Sequence, residues 1–131
     1  MKTIEVAAAM IQSDDGQILA TQRGYGELKD GWEFPGGKIE KGESPETAVV
    51  REILEELEVK IQPKKLIATV EYDYPNFHLT MHCFLSKIVS GEIVLNEHED
   101  AKWLNKKELD SVNWLPADVR AVEKLKRTLR V

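Results

Sequence analysis

The chain carries one cysteine, Cys83, so it cannot form an intramolecular disulfide. That usage fits a reducing, cytoplasmic setting, and Cys83 itself is expected in the core, where free cysteines are commonly found. Long apolar runs are also lacking. The longest, Val6 to Ile11, has six residues, far short of the ~18–20 that a bilayer-spanning helix needs. Glu5 interrupts the segment that a secretory leader would need to be apolar, so neither a membrane partner nor a leader is expected. Positive charge is in deficit: 18 Lys plus Arg face 23 Asp plus Glu, a net charge of -5. Such a surface disfavours a nucleic-acid polymer bound through general basicity, although phosphates could still bind through intervening metal ions. At 131 residues, one domain spanning 1–131 is expected, burying roughly 65–70% of the unfolded chain's surface without disulfides or structural metal.

What is present is punctuated clearly. Thr3 to Ile11 and Gln17 to Thr21 flank the turn residues Ser13-Asp14-Asp15-Gly16, a pattern that predicts a hairpin. Six of the eight glycines lie between Gly24 and Gly42, where the backbone must turn tightly or approach something closely. Ser44-Pro45 opens a helix expected to reach Leu57, with Glu58 where a C-terminal glycine would be usual. Strands are predicted over Lys65–Asp73 and Phe77–Ile88, joined by Tyr74-Pro75-Asn76, with a turn at Ser90-Gly91 and a short strand near Ala101–Leu104. Pro116 starts a final amphipathic helix with apolar positions Val119, Val122, Leu125 and Leu129. Its basic end, Lys124, Lys126, Arg127 and Arg130, suits the helix dipole. The fold class expected is α/β, a mixed β-sheet sandwiched between helices.

On the central helix, a rotation of about 100° per residue gathers Val49, Val50, Ile53, Leu54 and Leu57 on one arc and Glu52, Glu55 and Glu56 on the opposite one. Glutamates are ordinary on a solvated helix face. Clustered like charges without intervening lysines are nonetheless unfavourable, and a cation would turn the repulsion into a site. Carboxylate oxygens suit Mg²⁺ or Mn²⁺.

Gly37, then Glu43 after five intervening residues, then Arg51-Glu52-Ile53-Leu54-Glu55-Glu56-Leu57 after seven more, then Glu58-Val59, resembles the Nudix box, departing from it only at Glu58, where the family has glycine. Trp32 to Glu40, Glu71-Tyr72 and Leu115 to Asp118 extend the resemblance to the MutT-like branch, both its 8-oxo-dGTP diphosphatases and its CTP pyrophosphohydrolases. The resemblance implies a Nudix α/β/α sandwich that hydrolyses nucleoside triphosphates to monophosphate and pyrophosphate, a small-molecule partner, and a monomer or homodimer. It implies divalent metals held by Glu52, Glu55, Glu56 and the Gly36 carbonyl, with Glu97 as a fourth carboxylate and Glu99 as its competitor. Glu52 could act as base or as ligand. Arg51 with Glu43 would fix the glycine loop to the helix, beside Gly37, and Lys38 could meet phosphate. Arg23 and Asp118 match base-contacting positions, with Phe34, Tyr74 and Phe77 as stacking walls or core. An ionised Asp118 would only accept hydrogen bonds, and Phe77 stands where oxidised-guanine hydrolases can place arginine, so the base stays open between oxidised guanine and cytosine. Other diphosphates such as ADP-ribose, or a silent nucleotide-binding domain, are the alternatives. His98 is expected in a loop, and His78 and His82 on a sheet face.

Overall fold

The computed structural model describes residues 1–129; Arg130, expected at the basic helix end, lies outside the described residues. The elements are β1 (Lys2–Ile11), β2 (Ile18–Arg23), β3 (Trp32–Glu33), β4 (Gly36–Lys38), α1 (Pro45–Leu57), β5 (Lys60–Tyr74), β6 (Phe77–Ser90), β7 (His98–Leu104), a short 3-10 turn (Lys106–Glu108) and α2 (Pro116–Leu129). Two sheets form, in the orders β4-β1-β6-β5 and β3-β2-β7. The first is mixed, since β1 runs parallel to β6 while the other pairs are antiparallel. It lies between the helices. Ala8 and Met10 of β1 face the core that holds Ala117, Ala121 and Leu125 of α2, whereas Ala7, Ala9 and Ile11 face the core that holds Val49, Ile53 and Leu57 of α1. A strand covered on both faces reads as a continuous apolar run, which explains Val6 to Ile11.

The expected β1–β2 hairpin does not form. Its turn closes, with Gly16 N–H donating to Ser13 O at 2.9 Å and Gly16 at φ +84°. After the single bridge Gln12↔Ile18 the strands part into different sheets. The reason is competition for an edge: β4 already pairs there (Val6↔Lys38, Ala8↔Gly36), and Ala9 N–H donates to Pro35 O at 2.8 Å. Strands β5 and β7 also begin earlier than predicted, at Lys60 and His98.

Helix α1 starts as its sequence requires, Ser44 capping Thr47 N–H and Pro45 in the first turn. Its buried side is turned toward the acidic arc. Ala48, Val49, Ile53, Glu56 and Leu57 are buried, while Leu54 is 53% exposed. The two arcs therefore share an edge, and Glu56 sits in that edge at 6% exposure. In α2, Val119 is likewise turned out at 45% exposure, and Asp118 is buried in its place.

Candidate active site

Strand β4 lays its backbone so tightly along β1 that a Cβ on Gly36 would collide with the Ala7 carbonyl, and one on Gly37 would collide with the Glu52 carboxylate. The absence of side chains is what lets α1 press its acidic edge onto the strand. Arg51 then ties loop to helix. Its Nε and Nη2 fork onto Glu43 at 2.8 and 2.9 Å, Nη1 donates to Glu52 Oε1 at 2.9 Å, and Nη2 donates to the Lys38 carbonyl at 3.1 Å. This fork, with the Glu40 N–H, holds the Glu43 carboxyl down at about 2. The same carboxylates raise the Arg51 guanidinium above its ordinary value.

Beside Gly36 and Gly37 lies a cavity of about 460 Å³ lined by Glu52, Glu55, Glu56, Glu97 and His98, with Glu33 between His98 and Arg23. Burial pushes the Glu56 carboxyl up to about 9, helped by the negative charges of Glu52, Glu97 and Glu33 and opposed by the Gly36 N–H. Glu97 faces the cavity; Glu99 turns outward to Lys29 at 3.5 Å. Among the described residues no three His, Cys, Asp or Glu side chains stand ready to grip an ion by themselves. A hard cation that keeps waters and shares substrate phosphates needs no closed protein cage. Oxygen donors on an open cavity, whose crowded negative charge a cation would offset, fit such an ion in type and in charge.

The remaining lining has different chemistry. Arg23 Nη1 donates to Glu33 Oε1 at 3.0 Å and its guanidinium lies 4.5 Å from the Tyr25 ring centroid, yet Arg23 Nε is buried without a partner. Phe34 N–H donates to Asp118 Oδ1 at 3.0 Å. Burial, with Glu33 nearby, raises the Asp118 carboxyl well above its ordinary value. The shift is toward the protonated form, which donates as well as accepts, whereas the ionised form only accepts. Tyr74 stacks on Phe77 with centroids 5.1 Å apart, and its hydroxyl accepts from Ala117 N–H at 3.1 Å. Phe34 packs on Trp114 at 4.7 Å while still lining the cavity. Arg23, Phe34, Gly36, Gly37, Lys38 and Phe77 are thus brought to one cavity with Asp118 and the glutamates, whereas Arg51 and Glu43 stand behind it.

Two residues of the cavity were not anticipated, Glu33 in an apolar triplet and Tyr25 in the glycine-rich stretch. His98 is not the loop residue expected: it begins β7, buried, with Nε2 3.4 Å from Glu33 and 3.9 Å from Glu56. A charge between Trp32 and Phe34 was the available signal for Glu33. His78 and His82 do lie on the exposed sheet face, paired with Asp73 at 2.6 Å and Glu5 at 2.7 Å.

The NUDIX domain family matches residues 1–125. The chain belongs to the Nudix family. It is 35% identical to the 8-oxo-dGTP diphosphatase of Escherichia coli K12 over 97% of this chain and 99% of that one. It is 34% identical to the CTP pyrophosphohydrolase of the same organism over 94% of this chain and 91% of that one. A crystal structure of a MutT NUDIX hydrolase from Burkholderia pseudomallei superposes with a TM-score of 0.83 at 30% identity, over 95% of this chain and 99% of that one. This Nudix chain is accordingly an enzyme that hydrolyses phosphoanhydride bonds of nucleotides. No helix among the described residues of this Nudix enzyme is long and apolar enough to cross a membrane.

Proposed function

We propose that this enzyme is a divalent-metal-dependent nucleoside triphosphate pyrophosphohydrolase that releases nucleoside monophosphate and pyrophosphate, acting on oxidised or non-canonical (d)NTPs such as 8-oxo-dGTP. The observation that carries it is a single cavity with a carboxylate-lined end against a glycine strand and an aromatic end with buried hydrogen-bonding groups. That division matches a ligand with a charged chain at one end and a base at the other. The names of the relatives support the same substrate class.

In this mechanism Glu52, Glu55, Glu56 and the Gly36 carbonyl would hold Mg²⁺, or Mn²⁺ in its place, with Glu97 lining the same cavity. When bound, such a cation would supply charge neutralisation for the phosphates and a lowered pKa for a water. Arg51 keeps the Glu52 carboxylate in one rotamer through its 2.9 Å bond. Either Glu52 or Glu97 would orient the attacking water and take its proton. Lys38 offers a point charge to the phosphates. Phe77, stacked on Tyr74, presents an aromatic face to the base, while Arg23, Phe34 and Asp118 close its edge.

A second reading, CTP or dCTP, is favoured by Asp118 itself, whose carboxyl pairs as well with cytosine's exocyclic amine as with oxidised guanine. A panel of canonical and oxidised nucleotides with Mg²⁺ separates the two by which nucleotide is cleaved fastest, and the phosphate product tests the reaction that they share. Monophosphate plus pyrophosphate is expected; orthophosphate counts against the proposal. Glu52→Gln or Glu55→Gln is expected to abolish pyrophosphate release while the circular dichroism spectrum is unchanged, and full activity in both would overturn it.

A further inference from the structure

The end of α1 is finished by another part of the chain. The last carbonyls of a helix have no intrahelical partner. Here Glu58 N–H takes Leu54 O at 3.1 Å, which leaves the carbonyls of Glu55, Glu56 and Leu57. One short segment ahead of β7 takes all three: Val94 N–H donates to Leu57 O at 2.9 Å, Asn96 N–H to Glu56 O at 3.1 Å, and Asn96 Nδ2 to Glu55 O at 2.9 Å. Asn96 supplies two of the three bonds, from an exposed position that does not line the cavity. The next residue is Glu97, which does. The one after is His98, buried against Glu33 and Glu56. Among the described residues the Glu97 carboxylate has no hydrogen-bond or ion-pair partner of its own. Its location is therefore set by the backbone anchors on either side, and the anchor on the α1 side is Asn96.

We infer that Asn96 is a positioning residue that holds Glu97 in register with the glutamates of α1. This rests on the proposed place of Glu97 among the metal-holding carboxylates. The amide is well suited to the task, because it donates to a helix carbonyl without carrying charge. An aspartate there would set an acceptor against the Glu55 carbonyl and a negative charge at the negative end of the helix dipole. Alanine would leave the Glu55 carbonyl to water and the segment held by its two backbone bonds alone.

The test compares the wild type with Asn96→Ala, Glu97→Gln and the double variant. Mn²⁺ affinity is measured without nucleotide, by electron paramagnetic resonance of the free ion, and kcat and KM are measured with Mg²⁺. Asn96→Ala is expected to weaken Mn²⁺ binding and lower kcat by roughly tenfold, the scale of groups that orient metal ligands, with little change in KM. In the Glu97→Gln background the same substitution is expected to do nothing further. Asn96→Gln, which keeps a donor, should recover most of the loss, and Asn96→Ser serves in place of the alanine variant should that one fail to fold. Equal losses in both backgrounds, or none in Asn96→Ala while Glu97→Gln is impaired, would overturn the positioning role alone. A Glu97→Gln enzyme with unchanged Mn²⁺ affinity and kcat would overturn the place of Glu97, and the positioning role with it.

Discussion

At the scale of single residues, Glu58 is the departure from the family pattern that has a physical price. It holds φ 59° and ψ 28°, the left-handed conformation in which Cβ crowds the following carbonyl. Glycine adopts it freely, at some cost in unfolded-chain entropy. Glu58→Gly is therefore expected to stabilise the fold by about 1 kcal/mol, seen as a Tm a few degrees higher, with catalysis unchanged. A lower Tm would mean that the glutamate side chain compensates through contacts that the glycine loses. The helix end located Glu58, and the resemblance to the Nudix box located Arg51 and Glu43, because all three belong to a local pattern along one loop and one helix. Glu33 and His98 were not legible in that way. They meet only because β2 pairs with both β3 and β7, placing Arg23 opposite His98 and Thr21 opposite Glu33. The first pairing joins residues 75 positions apart and the second residues 12 apart, and no short pattern records either.

At the scale of elements, the two glycines of β4 serve different ends, and alanine at each should separate them. A Cβ on Gly36 meets the Ala7 carbonyl and the Ala8 backbone, which cannot move without breaking the β1–β4 ladder. The atoms nearest to a Cβ on Gly37 are those of the Glu52 carboxylate, the far end of a flexible side chain. Gly36→Ala is expected to cost about 2 kcal/mol or more, while Gly37→Ala should melt close to the wild type and lose roughly a hundredfold in kcat through displacement of Glu52. Equal melting of the two variants would show that strand and helix yield together. The same strand explains the limits of sequence reading at this scale. The caps of α1, the Pro75-Asn76 turn and the start of α2 are local signals, and each is where it was expected. The partner of β1 is a non-local choice. Its turn to β2 has hairpin chemistry, but the side-chain-free edge of Gly36-Gly37 approaches more closely, so β2 goes to a second sheet.

At the scale of the whole molecule, the acidic site opposes the fold that holds it. The Glu56 carboxyl titrates at 4.5 in an unperturbed chain and at about 9 in the folded protein, where burial and the charges of Glu52, Glu97 and Glu33 disfavour its ionised form. The folded state thus binds this proton more tightly than the unfolded state. Its contribution to stability is complete below 4.5 and is lost as pH rises toward about 9. Asp118, also raised by burial, acts with the same sign. Glu43 acts with the opposite sign: its carboxyl is lowered from 4.5 to about 2, so the stability it lends is present above 4.5 and lost as pH falls toward 2. The metal-free protein should therefore melt at progressively lower temperature from pH 5 to pH 9. A cation that binds the ionised carboxylates stabilises the folded state by mass action, so Mg²⁺ or Mn²⁺ should raise the Tm most at the alkaline end. Glu56→Gln removes the titrating group while keeping its shape. It should flatten the alkaline slope, raise the metal-free Tm near pH 8 by about 5 °C or more, and abolish most of the metal-induced rise. A metal-free Tm that is level across this range, together with a Glu56→Gln protein that melts below the wild type, would mean that Glu56 is held by the fold and has no need of a cation.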